Sequence, residues 1–271
     1  MKKVRELIKE ITGWSDKDLD KEVHRLMTEG DENGVVARNE ISALNKILRA
    51  VKYKNEPVGD IDGYIGNLTT DSRNRYHLHL ITDEGIKHII ANEVESVSTE
   101  LDVASAVRVS GAQLQTNLAT GSSYLIADKL KITPIDDIKF SLDDCIAADE
   151  PGNNQLVLVK GTVNAVFPVS EFDEEGNIID RLPIISPDGT VNLRLIIATD
   201  IGDMTLKIPN IGVLEDLIGE TDWVDDEAFN ELRDMILNAD VYAFGRFVSE
   251  INDTPLRQPF LDIRDGFVIM G

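Results

Sequence analysis

The chain runs Tyr76-His-Leu-His-Leu-Ile81 and then Ile86-Lys-His-Ile-Ile90, two strand-like segments separated by the tight-turn sequence Asp83-Glu84-Gly85. Alternating apolar and polar residues are typical of strands with one buried face. Three further short segments of this kind flank the pair: Gly59-Asp-Ile-Asp-Gly-Tyr-Ile-Gly66, Ala106-Val-Arg-Val-Ser110 and Tyr124-Leu-Ile-Ala127. The pattern predicts five short strands with the longest gap between the third and the fourth.

A second run repeats this order and spacing further along the chain. It consists of Leu156-Val-Leu-Val-Lys-Gly-Thr-Val163, Asn192-Leu-Arg-Leu-Ile-Ile197, Met204-Thr-Leu-Lys-Ile208, Asp240-Val-Tyr-Ala-Phe-Gly245 and Phe260-Leu-Asp-Ile-Arg264. Five strands in this arrangement suit a Greek-key barrel of the OB type, a fold that binds oligonucleotides and oligosaccharides. Apolar residues between Pro209 and Asp240 predict helix between its third and fourth strands.

The first 55 residues predict three amphipathic helices. Val4, Leu7, Ile8 and Ile11 fall on one helical face, and similar stripes follow at Leu19–Met27 and Ile41–Val51. The predicted fold is therefore α+β and mainly β, with a small N-terminal helical region followed by two five-stranded OB-type Greek-key barrels. The predicted boundaries are 1–55 for the helical region, 56–133 for the first barrel, 134–155 for an acidic linker and 156–271 for the second barrel.

The charge balance opposes a generally basic nucleic-acid-binding surface. The formal net charge is −22, and residues 156–271 contain 8 basic against 22 acidic side chains. Phosphate contacts need Lys and Arg, so a binding groove would have to be built from few residues. An acidic surface fits a protein partner equally well.

The expected cellular compartment and the expected lack of enzymatic activity are inferred mainly from motifs that the sequence does not contain. Cys145 is the single cysteine, which excludes an internal disulfide and fits a reducing compartment. We find no signal-peptide pattern and no apolar run of about 18 residues, so we expect a cytoplasmic protein without a membrane partner. The sequence has no Walker-type loop, His-Glu-x-x-His or Gly-x-Ser-x-Gly motif. We therefore expect no enzymatic activity and no cofactor.

Three histidines form the one constellation with metal-binding potential. His77 and His79 share a strand face, and His88 lies across the predicted hairpin. Three imidazoles can hold zinc with an open fourth position. A shift of the hairpin by one residue would move His88 to the other face, so the sequence leaves open a metal site, a polar binding surface and ordinary exposed histidines.

The overall layout resembles archaeal replication protein A. The resemblance is carried by the N-terminal segment, with Trp14-Ser-Asp-Lys-Asp-Leu-Asp20 and Asn33-Gly-Val-Val-Ala-Arg-Asn-Glu-Ile-Ser-Ala-Leu-Asn-Lys-Ile-Leu48, followed by the tandem barrel pattern. It implies a single-stranded DNA-binding protein of replication and repair. The chain differs from the family after the third strands, where Ile89-Ile90-Ala91 and Ile208-Pro209-Asn210 stand in place of the usual aromatic residues.

Strand parity and loop position supply the candidate binding residues. Inward Leu193, Leu195 and Leu206 turn Arg194 and Lys207 outward, on the strands that form the usual binding face of this fold. Basic side chains beside aromatic rings suit single strands, because phosphate contact and base stacking combine there. The predicted nucleic-acid-binding set is Arg73, Arg75, Tyr76, His77, His79, Lys87, Arg194, Lys207, Arg246, Arg257, Phe260 and Arg264.

Two functions are compatible with these features. The first is a non-catalytic protein of replication or repair that binds single-stranded DNA through tandem OB barrels, with protein partners in a replication or assembly complex; the sequence leaves binding of RNA open. The alternative is an acidic OB-fold interaction or assembly module, in a replication or virion complex, that binds protein and no nucleic acid. The two differ in whether a local basic stripe exists on an otherwise acidic surface.

Overall fold

The computed structural model describes residues 2–31, 34–96, 101–172, 178–251 and 254–271. Its N-terminal region contains helices α1 (Lys2–Thr12), α2 (Asp16–Thr28) and α3 (Glu40–Val51). Ser15 and Asp18 form a reciprocal capping box at the start of α2, which satisfies backbone N–H groups of its first turn. The three apolar stripes pack on one another around a core that includes Ile8, Leu19 and Leu44.

Seven strands follow in one sheet. They are β1 (Tyr53–Pro57), β2 (Ile61–Thr70), β3 (Tyr76–Thr82), β4 (Gly85–Ser96), β5 (Ala106–Ser110), β6 (Gln113–Asn117) and β7 (Ser123–Pro134). The strand order is β1-β6-β7-β4-β3-β2-β5, and a further pairing of β5 with β7 closes β2, β3, β4, β7 and β5 into a barrel. The parallel pairing of β4 with β7 is the third-to-fifth strand contact of an OB barrel.

The second barrel repeats this topology. It is formed by β8 (Leu156–Pro168), β11 (Thr190–Thr199), β12 (Gly202–Asn210), β13 (Asp240–Ile251) and β14 (Thr254–Met270), in the closed order β11-β12-β14-β13-β8. A small hairpin of β9 (Ser170–Phe172) and β10 (Ile178–Arg181) stands between its first two strands. Helices α4 (Ile211–Ile218) and α5 (Phe229–Ile236) lie between strands three and four, and Leu214 and Leu232 are buried in the barrel core.

These strands confirm the predicted fold class, because each of the ten predicted segments overlaps a barrel strand. The sequence did not predict β1, β6, β9 or β10. Strand β1 is polar and exposed along its whole length, and β6 is polar apart from Leu114. Apolar alternation marks strands with a buried face, so exposed strands escape it.

A separate apolar cluster joins the two barrels. Ile81 of the first barrel packs with Leu158, Phe244 and Phe267 of the second, and all four side chains are buried. The Phe244 and Phe267 rings have centroids 5.8 Å apart. A Cβ atom placed on Gly66 would lie 2.7 Å from the Phe244 ring, so the contact depends on a residue without a side chain. The barrels therefore share a packed interface.

The segment predicted as a linker, 134–155, contacts both barrels. The Tyr64 hydroxyl donates to the Phe140 carbonyl at 2.8 Å, and the two rings meet edge to face. Within a single 3₁₀ turn (Asp143–Cys145), the Asp143 carboxylate accepts hydrogen bonds from Lys160 and Tyr242 of the second barrel. The division of the chain into four folding units remains a prediction.

In the described parts of the chain, no helix combines the length and the apolar character that crossing a membrane requires.

Candidate nucleic-acid interface

The outer face of β11 and β12 carries two adjacent cations. Arg194 and Lys207 are direct cross-strand neighbours and both are exposed, because Leu193, Leu195 and Leu206 occupy the barrel core. On the other side of Arg194, its partner in β8 is the partly exposed Phe167. Neighbours directly opposite one another have Cβ atoms roughly 5 Å apart, so one row brings together a ring and two positive charges.

A second row on the same face supplies another ring. Ile196 pairs with Thr205, and Thr205 pairs in turn with Phe260 of β14, which is partly exposed. The two rows together form a surface that we call the β11–β12 face: Phe167, Arg194, Ile196, Thr205, Lys207 and Phe260. Sequence reasoning missed Phe167, although inward Val166 places the residue after it on the outside of the barrel.

Most other described cations of the second barrel are neutralised. Lys160 pairs with Asp143, Arg233 with Asp234 and Arg264 with Asp262. Within the described residues, Arg194 and Lys207 make no ion pair or side-chain hydrogen bond. An anionic ligand would therefore meet these two charges without first displacing an acidic partner.

The candidate residues near the end of β13 lie in a neighbouring groove of about 330 Å³. Arg246, Phe260 and Arg264 line it together with Asp262 and Asp265. The Arg246 guanidinium donates to the Asn154 carbonyl at 2.7 Å, so both arginines of the groove already have protein partners. Another residue of the predicted set, Arg257, has a side chain outside the described part of the structure.

In the first barrel, the predicted binding residues are mostly engaged. Arg75 makes a two-nitrogen contact with Asp71, and Lys87 pairs with Glu84. Tyr76 begins β3 and packs against the barrel core. Arg73 is exposed, and its backbone N–H donates to the Asp71 carboxylate. Of this group, Arg73 has the most accessible charge.

The three strand histidines stack on one face. His79 pairs with His88 across the hairpin, which settles the register that the sequence left open. His77 Nδ1 lies 3.0 Å from His88 Nε2, and His77 Nε2 lies 3.3 Å from an Asp71 carboxylate oxygen. A neutral imidazole has one donor, so in the tautomer whose Nε2 donates to Asp71, Nδ1 of His77 accepts from Nε2 of His88.

The innermost histidine is held neutral by its surroundings. His79 lies between His88, at a centroid distance of 4.6 Å, and Phe244 of the second barrel, at 6.5 Å. Burial, followed by the nearby charges of His88 and Arg246, lowers its pKa to about 4, against a weaker opposing effect of Asp265. Burial also lowers the pKa of His88, followed by the charge of His77.

This environment predicts a pH-dependent stability. An unfolded His79 titrates near 6.5, so the unfolded chain binds a proton that the folded chain does not bind until about pH 4. The free energy of unfolding should therefore fall as pH drops from 6.5 towards 4. We expect His79→Gln to lose less stability than wild type between pH 7 and pH 5 in urea denaturation. Parallel losses in the two proteins would contradict the assignment, because the carboxylates are common to both.

The described residues contain no group of three or more His, Cys, Asp or Glu side chains arranged to hold a metal ion. The one cysteine is a poor nucleophile at neutral pH. Burial raises the pKa of Cys145 to about 11, and the charges of Asp83 and Asp144 act in the same direction.

Comparison with solved structures gives matches of low sequence identity and low TM-score. The tetrameric p202 HIN2 domain is 13% identical, with 81% of this chain and 95% of that chain covered and a TM-score of 0.33. The Ifi202 HINa domain in complex with 20-bp double-stranded DNA is 7% identical, with 80% of this chain and 97% of that chain covered and a TM-score of 0.32. Fission yeast Pot1 with single-stranded DNA is 8% identical, with 80% of this chain and 84% of that chain covered and a TM-score of 0.25. No protein-family model and no curated protein matches the chain. The OB assignment rests on strand order, and function has to be argued from the surface.

Proposed function

We propose that this chain is a non-catalytic protein that binds single-stranded nucleic acid through the β11–β12 face. The observation that carries the proposal is the pair of unpartnered cations, Arg194 and Lys207, between two partly exposed phenylalanines. Strands two and three are the strands with which OB barrels bind oligonucleotides. The cations would contact phosphates, while Phe167 and Phe260 would stack on bases.

The finer assignment is single-stranded DNA in replication or repair, as in replication protein A, within the cytoplasm. It follows from the layout of three N-terminal helices and two OB barrels. The geometry favours single strands because a stacking ring reaches only unpaired bases. Single-stranded RNA offers the same phosphates and base faces, so the assay should include both polymers.

A salt titration tests the electrostatic part of the proposal. A labelled dT30 oligonucleotide should bind, and log K should fall with log salt at a slope of about −1.4 if two phosphates are neutralised on a single strand. Fluorescence anisotropy between about 20 and about 300 mM NaCl would measure this slope. Absence of binding at low salt would favour the acidic protein-interaction module, which the net charge of −22 supports.

A further inference from the structure

The first barrel carries a sheet face wider than an OB barrel requires. Strands β1 and β6 extend the sheet beyond β7, and cross-strand pairs continue in one row over six strands. The row consists of Pro57, Gln113, Ile126, Ile90, His77 and Thr69. Paired residues share a side of the sheet, so the extension is continuous with the histidine-bearing face of the barrel.

Two tyrosines stand on this side of the extension. Tyr53 of β1 is 41% exposed and Tyr124 of β7 is 51% exposed. Between them, Gln115 pairs with Tyr124 on one side and with Asn55 on the other, and the Gln115 amide donates to the Asn55 side-chain oxygen at 3.1 Å. We call this surface the extension face: Tyr53, Asn55, Gln115 and Tyr124.

The extension face differs in charge from the rest of the molecule. Its four residues are uncharged in a chain with 49 acidic side chains. The adjacent charge is positive, since the Lys52 ammonium lies 5.3 Å from the centroid of the Tyr53 ring. Lys54 and Glu56 alternate with these residues on β1, so they point to the opposite side, where they pair with each other. Phosphates can therefore approach this face without meeting a carboxylate of β1, β6 or the start of β7.

We propose that the extension face is a second site for single-stranded nucleic acid, on which Tyr53 and Tyr124 stack bases, amides of Asn55 and Gln115 bind base edges, and Lys52 attracts phosphate. The inference rests on the proposed function. Exposed rings, uncharged amides and one cation match bases on a flexible strand, because every base has a face for stacking. The continuous row then directs the strand along the sheet towards His77.

The test uses the full chain and four variants, one of which is Arg194→Glu/Lys207→Glu on the β11–β12 face. Tyr53→Ala with Tyr124→Ala removes both rings at exposed positions, whereas Tyr53→Phe with Tyr124→Phe retains them. Met235→Ala is the control, because Met235 is 47% exposed on α5 in the second barrel. The probes are dT30 and an abasic deoxyribose-phosphate oligomer of equal length, which offers phosphates without bases.

We expect the double alanine variant to bind dT30 at least about 25-fold more weakly, since two stacked bases are lost and each contributes at least about fivefold. The same variant should bind the abasic oligomer as wild type does. The double phenylalanine and Met235→Ala variants should bind like wild type. Unchanged dT30 binding by the double alanine variant, with Arg194→Glu/Lys207→Glu still weakening it, would overturn this inference alone. Equal weakening for dT30 and the abasic oligomer would also overturn it, because stacking needs bases. A wild-type protein that binds neither probe would overturn the proposed function as well.

Discussion

Replacing Arg194 and Lys207 by glutamate should weaken the binding of single-stranded DNA by at least about tenfold. Two attractions to phosphate become two repulsions, on a barrel whose other charges are mostly acidic. Both side chains are exposed and unpaired within the described residues, so the free energy of unfolding should change by no more than about 0.5 kcal/mol. Anisotropy with dT30 measures the first effect, and urea denaturation measures the second.

Arg233→Glu is the matched control for this double variant. Arg233 also lies in the second barrel and is partly exposed, but it stands on α5 and pairs with Asp234. The substitution Arg233→Glu changes the net charge in the same direction without altering the β11–β12 face. Equal weakening per charge in both proteins would show that overall charge, and not this face, governs binding. Unchanged binding in the double variant would remove Arg194 and Lys207 from the site.

Much of this interface could be derived from the sequence. Alternation in Leu193–Ile197 and Met204–Ile208 places Arg194 and Lys207 outside, because the apolar residues between them must fill the core. Alternation cannot show which exposed cations are already paired. Arg75 and Arg264 look as available in the sequence as Arg194, yet each is held by a carboxylate four or two residues away.

The extension face was missed for a related reason. Tyr53 and Tyr124 come together only because β1 and β6 add to the sheet, and neither strand has the buried face that makes a pattern visible. Their juxtaposition depends on the pairing of β1 with β6, which joins residues 56 to 64 positions apart. Such long-range contacts are set by the closed barrel and not by local sequence.

The contact between the barrels also shows what the alternation of strand residues cannot predict. Tyr242, Phe244 and Arg246 alternate with the core residues Val241, Ala243 and Phe247, so they point out of their own barrel, as the sequence predicts. The sequence gives no sign that the first barrel covers Phe244 completely. An outward aromatic residue of an OB barrel can be a ligand contact or an interface residue, and only the tertiary structure distinguishes the two roles.

Phe244→Ala should therefore destabilise the fold strongly, by about 3 to 5 kcal/mol, because truncating a buried Phe leaves a cavity between Phe267, Ile81 and the Gly66 backbone. That is a large share of the roughly 5 to 15 kcal/mol that holds a typical domain folded. Urea denaturation at pH 7 measures the change.

Phe260→Ala removes the same atoms from a partly exposed position on the β11–β12 face. The two substitutions should therefore differ in their effects on dT30 binding and on the free energy of unfolding. Phe260→Ala should weaken dT30 binding while changing the free energy of unfolding by about 1 kcal/mol or less. Phe244→Ala should lower stability, and the protein that remains folded should keep an intact β11–β12 face and its affinity. If Phe244→Ala unfolds like wild type, the barrels do not depend on their shared cluster, and each must be stable without the other. If Phe260→Ala instead shows the large loss of stability, its ring belongs to the packed interior and cannot stack on a base.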